Sequence, residues 1–194
     1  ELNGVSKELF FESNKHIWDH ELKSLDFILV ALSHYASALD CDLHIQGTVT
    51  RSQLENIDEF IQVWSVWKPG VFNRIKIFAD HIVQIQNNHA LPAVMAFSGG
   101  VDANFSLVGH KQKLFGHLSR SIALGVLVVG WDISRDDEKS RDLAFGKARE
   151  SLNEFGADCI TIATNWRDDF CPDWLMGHNI GIASVLQTLS DCYA

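Results

Sequence analysis

Three continuous apolar runs constrain this chain more than any other feature: Pro92 to Phe97, Ala123 to Val129 and Cys159 to Ala163. A strand with one wet face alternates apolar and polar residues. A run without alternation is buried on both faces, as strands of a parallel sheet are. Helical patterns lie between the runs. Asn104 to Leu118 carries Phe105, Val108, Leu114 and Phe115. Lys139 to Phe155 carries Leu143, Ala144, Ala148, Leu152 and Phe155, and Gly156 follows as a C′ residue. Strand–helix–strand–helix–strand at this spacing predicts a βαβαβ unit with right-handed crossovers. The expected fold class is α/β with a parallel sheet.

The first half reads differently. Ser13 to Leu39 is expected to be helical from Ile17, Leu22, Leu25, Ile28, Leu29 and Leu32. Asp42 to Val49 alternates, with a turn or bulge expected at Gly47. Ser52 to Trp67 reads as a second helix with Ser52 as N-cap and Glu55 at the capping-box spacing. Lys68-Pro69-Gly70 stops it, and Arg74 to Ala79 alternates again. These signals predict a small α+β region over 1–86, a linker at Gln84 to His89, and a nucleotide-binding α/β domain over 87–194.

Hydrophobic residues make up 46% of the 194, which is enough to build a packed core rather than a disordered chain. The formal charge of −9 disfavours a nucleic-acid partner, which needs clustered Lys and Arg. His110-Lys111-Gln112-Lys113 is the best basic cluster and reads as a solvated helix end. No apolar run approaches the ~20 residues of a membrane span. The four cysteines form no C-x-x-C pair, so a cysteine-built zinc site is not expected. A reducing, cytoplasmic setting is the expectation. His16 and His20 have a metal-compatible spacing without the H-E-x-x-H pattern. Trp18, Trp64 and Trp67 read as core or interface aromatics.

Ligands of parallel α/β sheets bind beyond the carboxyl ends of the strands. Here the first run is followed by Ser98-Gly99-Gly100-Val101-Asp102, the second by Gly130-Trp131-Asp132 and the third by Thr164-Asn165-Trp166-Arg167. All three loops are expected at one rim, around one site. The two glycines allow a tight turn, and the amides at the following helix start make an anion cradle. Asp102 makes sense beside a phosphate with Mg²⁺ between them, or as a helix cap. Neither G-x-x-x-x-G-K-[ST] nor G-x-G-x-x-G occurs, which argues against the two commoner phosphate loops.

Ala96-Phe97-Ser98-Gly99-Gly100-Val101-Asp102-Ala103 resembles the S-G-G-x-D-S signature of the PP-loop ATP pyrophosphatases. Gly130-Trp131-Asp132-Ile133 and Thr164-Asn165-Trp166-Arg167 are similar to motifs of uncharacterised bacterial members. The resemblance covers about the second half of the chain. It implies an adenine-nucleotide α-hydrolase-like fold, ATP and Mg²⁺ as cofactors, and adenylation of a small-molecule carboxylate or carbonyl oxygen with release of pyrophosphate. By the same resemblance, Ser98, Gly99, Gly100, Val101, Asp102 and Ala103 hold the pyrophosphate, with Asp102 on the metal. Val128 and Val129 flank the adenine. From their place after the strands, Gly130, Asp132 and Asn165 are expected among the nucleotide contacts, with Asp132 either on ribose or metal or at the start of the acidic, solvated run Arg135-Asp136-Asp137-Glu138. One departure matters: Ala103 stands where the family has serine, so a hydroxyl is missing, and Asn104 or Ser106 is the nearest polar replacement. PP-loop domains have more strands, so the C-terminus is expected to be truncated, or a homo-oligomer or partner subunit to complete the fold.

Arg167 and His178 are the remaining catalytic candidates beside Asp102. Arg167 is expected either to neutralise a triphosphate or to pair with Asp168 or Asp169. His178 is expected near a helix start as an acid–base group or as a structural residue. Cys171 is considered as a sulfur carrier, although no second cysteine sits beside it. A nucleotide-binding module without turnover and a tRNA-modifying enzyme are the alternatives. Ala103 favours the first, and the acidic charge with the missing cysteine pair counts against the second.

Overall fold

The computed structural model describes residues 6–18, 22–84 and 91–193. Its elements are β1 (Phe11–Ser13), α1 (Asp26–Ala38), β2 (Leu43–Thr50), α2 (Arg51–Trp67), β3 (Ile77–Val83), β4 (Ala93–Ala96), α3 (Val101–Lys111), β5 (Ile122–Val129), α4 (Glu138–Glu154), β6 (Asp158–Thr164), α5 (Trp166–Phe170) and α6 (Trp174–Gln187). A 3₁₀ turn at Gly116–Leu118 separates α3 from β5.

The three apolar runs are the three parallel strands of the main sheet, in the order β1-β6-β5-β4. Side chains alternate between its two covered faces. Phe97 and Cys159 pack with Leu107, Ala148 and Leu152 of α3 and α4. Leu124, Val126, Ile160 and Ile162 pack on the other face with Val185 of α6 and Leu189 beyond it. Burial on both faces is why these strands show no polar alternation. Helix α4 ends as its sequence predicts. Gly156 has φ +75°, its N–H reaches the Asn153 carbonyl, and the Ala157 N–H reaches that of Leu152. This is the Schellman pairing of a C′ glycine. Helix α3 is shorter than the expected Asn104 to Leu118, because Lys113 at φ 58° turns the chain into the 3₁₀ segment.

The first half holds the larger differences. The expected helix from Ser13 to Leu39 starts only at Asp26. Ser13 instead belongs to β1, paired antiparallel with Ile162 of β6. Ile17 and Trp18 pack against the core beside α6, so their apolar character serves the sheet domain and not a helix face. The Leu25 N–H is held by the Thr48 carbonyl at 2.7 Å, which fixes where α1 begins.

Helix α2 starts one residue before the expected Ser52, and its cap is Thr50, whose hydroxyl accepts the Gln53 N–H. Buried Asp26 binds Thr50 twice, accepting its N–H at 2.7 Å and its hydroxyl at 2.6 Å. The register shift in β2 between Ile45 and Thr48 brackets Gly47, where a bulge is expected. Strand β3 begins three residues later than Arg74 and pairs parallel with β2, so β2-α2-β3 is itself a βαβ unit.

The two halves interlock across residue 86. Strand β1 extends the sheet of the second half, and α1, α5 and α6 share a core around fully buried Trp166. The Trp166 indole N–H donates to the Ala31 carbonyl at 2.6 Å. Of the expected linker, residues 85–89 lie outside the described residues. Among the described residues, no helix is long and apolar enough to cross a membrane.

Candidate functional site at the carboxyl rim of the sheet

Because β4, β5 and β6 are parallel, with Ala96 beside Val126 and Val129 beside Ala163, their carboxyl ends open on one rim. The rim therefore gathers the loops at Ser98–Asp102, Gly130–Asp132 and Asn165–Arg167. Phe97 is buried, and Ser98 through Asp102 are all exposed. The chain thus passes in one step from packed strand to open loop.

Gly99 has φ +76°, a conformation that favours glycine, and a Cβ there would meet nothing within 4 Å. The turn leads into α3 with Gly100 at the N-cap and no side chain capping it. Helices α2, α4 and α6 are capped by Thr50, Asp137 and Asp173, whereas α1, like α3, has no side-chain cap. The first intrahelical bond of α3 runs from the Asn104 N–H to the Gly100 carbonyl. The N–H groups of Val101, Asp102 and Ala103 precede it and lack helical acceptors. They stand where the partial positive charge of the helix is greatest. The Ser98 hydroxyl accepts the Gly100 N–H at 3.3 Å. Asn104 does not replace the missing serine hydroxyl. Its side-chain amide donates to the carbonyls of Gly99 at 2.8 Å and Gly100 at 3.0 Å, bracing the turn from behind.

Gly130 has φ +98°, and a Cβ on it would lie 2.1 Å from the Thr164 carbonyl oxygen. Only glycine lets the β5 and β6 ends approach this closely. Asp132 follows, exposed, and pairs with Arg167 at 3.6 Å. The Arg167 guanidinium also lies 4.2 Å from the ring centre of Trp174. Arg167 therefore points across the rim, and it is Arg135 that reaches Asp168, at 4.0 Å. His178 stands one helical turn beyond Trp174 and donates its Nδ1 proton to the Trp174 carbonyl at 3.1 Å. In the neutral ring this tautomer leaves Nε2 as the acceptor. Trp131 closes the cluster against Trp174 and Trp166, at 5.4 and 6.5 Å between ring centres.

Two expected contacts leave the site on geometric grounds. Asn165 is buried, and all its side-chain groups are engaged. Its amide donates to the Glu8 carbonyl and to Asp169, and its oxygen accepts the Phe10 N–H. It anchors the segment leading into β1. Val128 and Val129 cannot flank one ring together, because successive strand residues face opposite sides. Val128 packs toward the α6 face, and Val129 lines a cleft on the α4 face.

That cleft, about 580 Å³, is bounded by β1, β6 and α4, with Arg135 and Arg141 at its wall. Neither arginine stands out in the sequence, since both lie in a charged stretch that reads as solvated surface. Arg135 is drawn in by the Phe10 ring, 5.3 Å away. That contact depends on β1 joining the sheet.

Cys159 and the candidate sulfur carrier Cys171 are poorly suited to nucleophilic work. Burial pushes the Cys159 thiol up to about 11, and burial likewise raises that of Cys171. Among the described residues, no group of three or more His, Cys, Asp or Glu could hold a metal ion. A Mg²⁺ at Asp102 would take its other ligands from phosphate oxygens and water, as this cation usually does. His20 lies outside the described residues, and with it the His16–His20 pair. Trp64 lies in an aromatic cluster with His34, Phe60 and Phe72, whereas Trp67 is 70% exposed.

Compared with family models, curated proteins and solved structures, the chain matches none.

Proposed function

We propose that the rim binds ATP, with its phosphate tail on the Ser98–Ala103 turn, and transfers the adenylyl group to an oxygen of a small-molecule acceptor. The observation that carries this reading is the uncapped start of α3, presented by a glycine turn at the end of a buried parallel strand. Free amides and the helix dipole favour an anion there. The S-G-G-x-D resemblance narrows the anion to the tail of ATP.

In this reading the acceptor's carboxylate or carbonyl oxygen attacks the α-phosphorus. The bond from that phosphorus to the bridging oxygen breaks, and pyrophosphate leaves. The amides of Val101, Asp102 and Ala103, with the Ser98 hydroxyl, bind the departing pyrophosphate. Asp102 would hold Mg²⁺, which supplies charge neutralisation on the phosphates. Arg167, held against Trp174, adds a fixed cation at the rim. His178 Nε2 can accept a proton from the nucleophile that later displaces AMP.

A second reading is supported by a specific observation. Ala103 lacks a hydroxyl, and the Asn104 amide is already committed to Gly99 and Gly100. Such a turn binds nucleotide with fewer contacts to the leaving group, and a binding module without turnover follows. Measuring ATP affinity together with pyrophosphate release across a panel of carboxylate acceptors separates the two. Acceptor-dependent release supports the ligase. Tight binding without AMP supports the module. The absence of ATP binding overturns both.

A further inference from the structure

We propose that a second cleft, at the opposite end of α3 from the glycine turn, binds a compact dianion of the phosphate-monoester type. The cleft is about 570 Å³, and its rim carries Lys111, Lys113 and Arg120 with His110 and His117. No carboxylate lines it. In a chain of net charge −9, this is a concentrated patch of the minority sign.

The alternative role for such residues is to neutralise helix carboxyl ends. Two helices, α3 and α4, terminate here, each worth roughly half a negative charge. Lys111 answers one of them directly, with its ammonium on the Phe155 carbonyl at 3.2 Å. Three fixed cations against about one unit of helix charge leave a surplus of about two positive charges. A doubly charged anion balances that surplus.

A separate observation points to a ligand. Ser119 is among the residues lining the cleft, and its hydroxyl, shielded from water, has no hydrogen-bond partner. Buried hydroxyls are normally satisfied, and leaving one unmade costs about 1–3 kcal/mol. Rotation of the Ser119 side chain toward the cleft would let a phosphate oxygen satisfy it. Nearby, His110 Nδ1 accepts the Arg120 N–H at 3.2 Å, so its Nε2 carries the proton and is a donor. Ile122 and Phe155 give the cleft an apolar wall for the carbon skeleton of an ester. A polyanion fits less well. Its neighbouring phosphates would run over a surface in which 25 acidic residues outnumber 16 basic ones.

The two sites are separate. Helix α3 has 11 residues, about 16 Å of axis, and its N-terminal amides face the other rim. The test uses the whole chain, amide-resolved NMR, and inorganic phosphate and glycerol phosphate as probes, with chloride at equal ionic strength as reference. We expect saturable shifts at Ser119, Arg120, His110 and His117. A Lys113→Gln, Arg120→Gln double variant should weaken binding about tenfold or more, and Ser119→Ala several-fold. Both changes lie in the loop beyond α3, so preserved amide dispersion verifies the fold. No saturable shift beyond that of chloride, or equal affinity in the double variant, would overturn the proposal. So would displacement of phosphate by a short single-stranded oligonucleotide with a steep salt dependence.

Discussion

Gly99 and Gly130 both hold positive φ, at +76° and +98°, and both sit where a strand enters the rim. Replacing either with alanine costs about 1 kcal/mol for the backbone conformation alone. The surroundings then separate them. A Cβ at Gly99 meets nothing within 4 Å, so Gly99→Ala should stop at about 1 kcal/mol. A Cβ at Gly130 lies 2.1 Å from the Thr164 carbonyl oxygen. That oxygen is backbone at the end of a central strand and cannot rotate away. Forcing β5 and β6 apart adds about 3 kcal/mol, the upper range for overpacking, for a total of about 4. For a chain of this size the losses correspond to roughly 3 °C and 12 °C in Tm. Urea unfolding followed by far-ultraviolet circular dichroism measures both. Equal losses in the two variants would refute the claim that close strand approach, rather than turn conformation, fixes Gly130.

His34 is fully buried among Phe60, Trp64 and Phe72, with neither ring nitrogen paired, and burial lowers its pKa to about 4. The unfolded chain binds the proton more readily, so stability is full above about 6.5 and is lost as pH falls toward 4, by about 3 kcal/mol in all. In His34→Leu that part of the slope should vanish, which stability measured across the same pH window checks. Trp166→Phe removes the indole donor to Ala31, whose carbonyl keeps its helical partner inside α1, and shrinks a fully buried ring, costing about 1–3 kcal/mol in denaturant unfolding. Arg167→Ala should cost about 1 kcal/mol, because its pairing with exposed Asp132 contributes little and the stacking on Trp174 is lost. It should weaken ATP binding by about tenfold in a direct titration if Arg167 faces the nucleotide.

The second half of the fold was legible because its signals are local. Both-face burial erases alternation in β4, β5 and β6, and Gly156 marks the end of α4 by itself. The rim followed from strand direction alone, since loops after parallel strands must share an edge. The first half was less legible because long-range pairing decides it. Apolar residues from Ile17 onward mimic a helix, yet Ser13 pairs with Ile162, more than a hundred positions away. Thr50 displaces Ser52 as the cap because Asp26, remote in sequence, fixes it. Asn165 looked like a ligand contact for the same reason. Its real partners, Glu8 and Phe10, arrive from the other end of the chain. Val128 and Val129 were separable in principle, since strand periodicity alone puts them on opposite faces.

The most direct test of the central claim is an amide-resolved titration of the whole chain with Mg²⁺ and a non-hydrolysable ATP analogue. The account predicts saturable shifts at Gly99 through Ala103, with smaller ones at Gly130, Asp132 and Arg167. Binding that shifts Ser119 and Arg120 while leaving the glycine turn unmoved, or no binding at all, would contradict it.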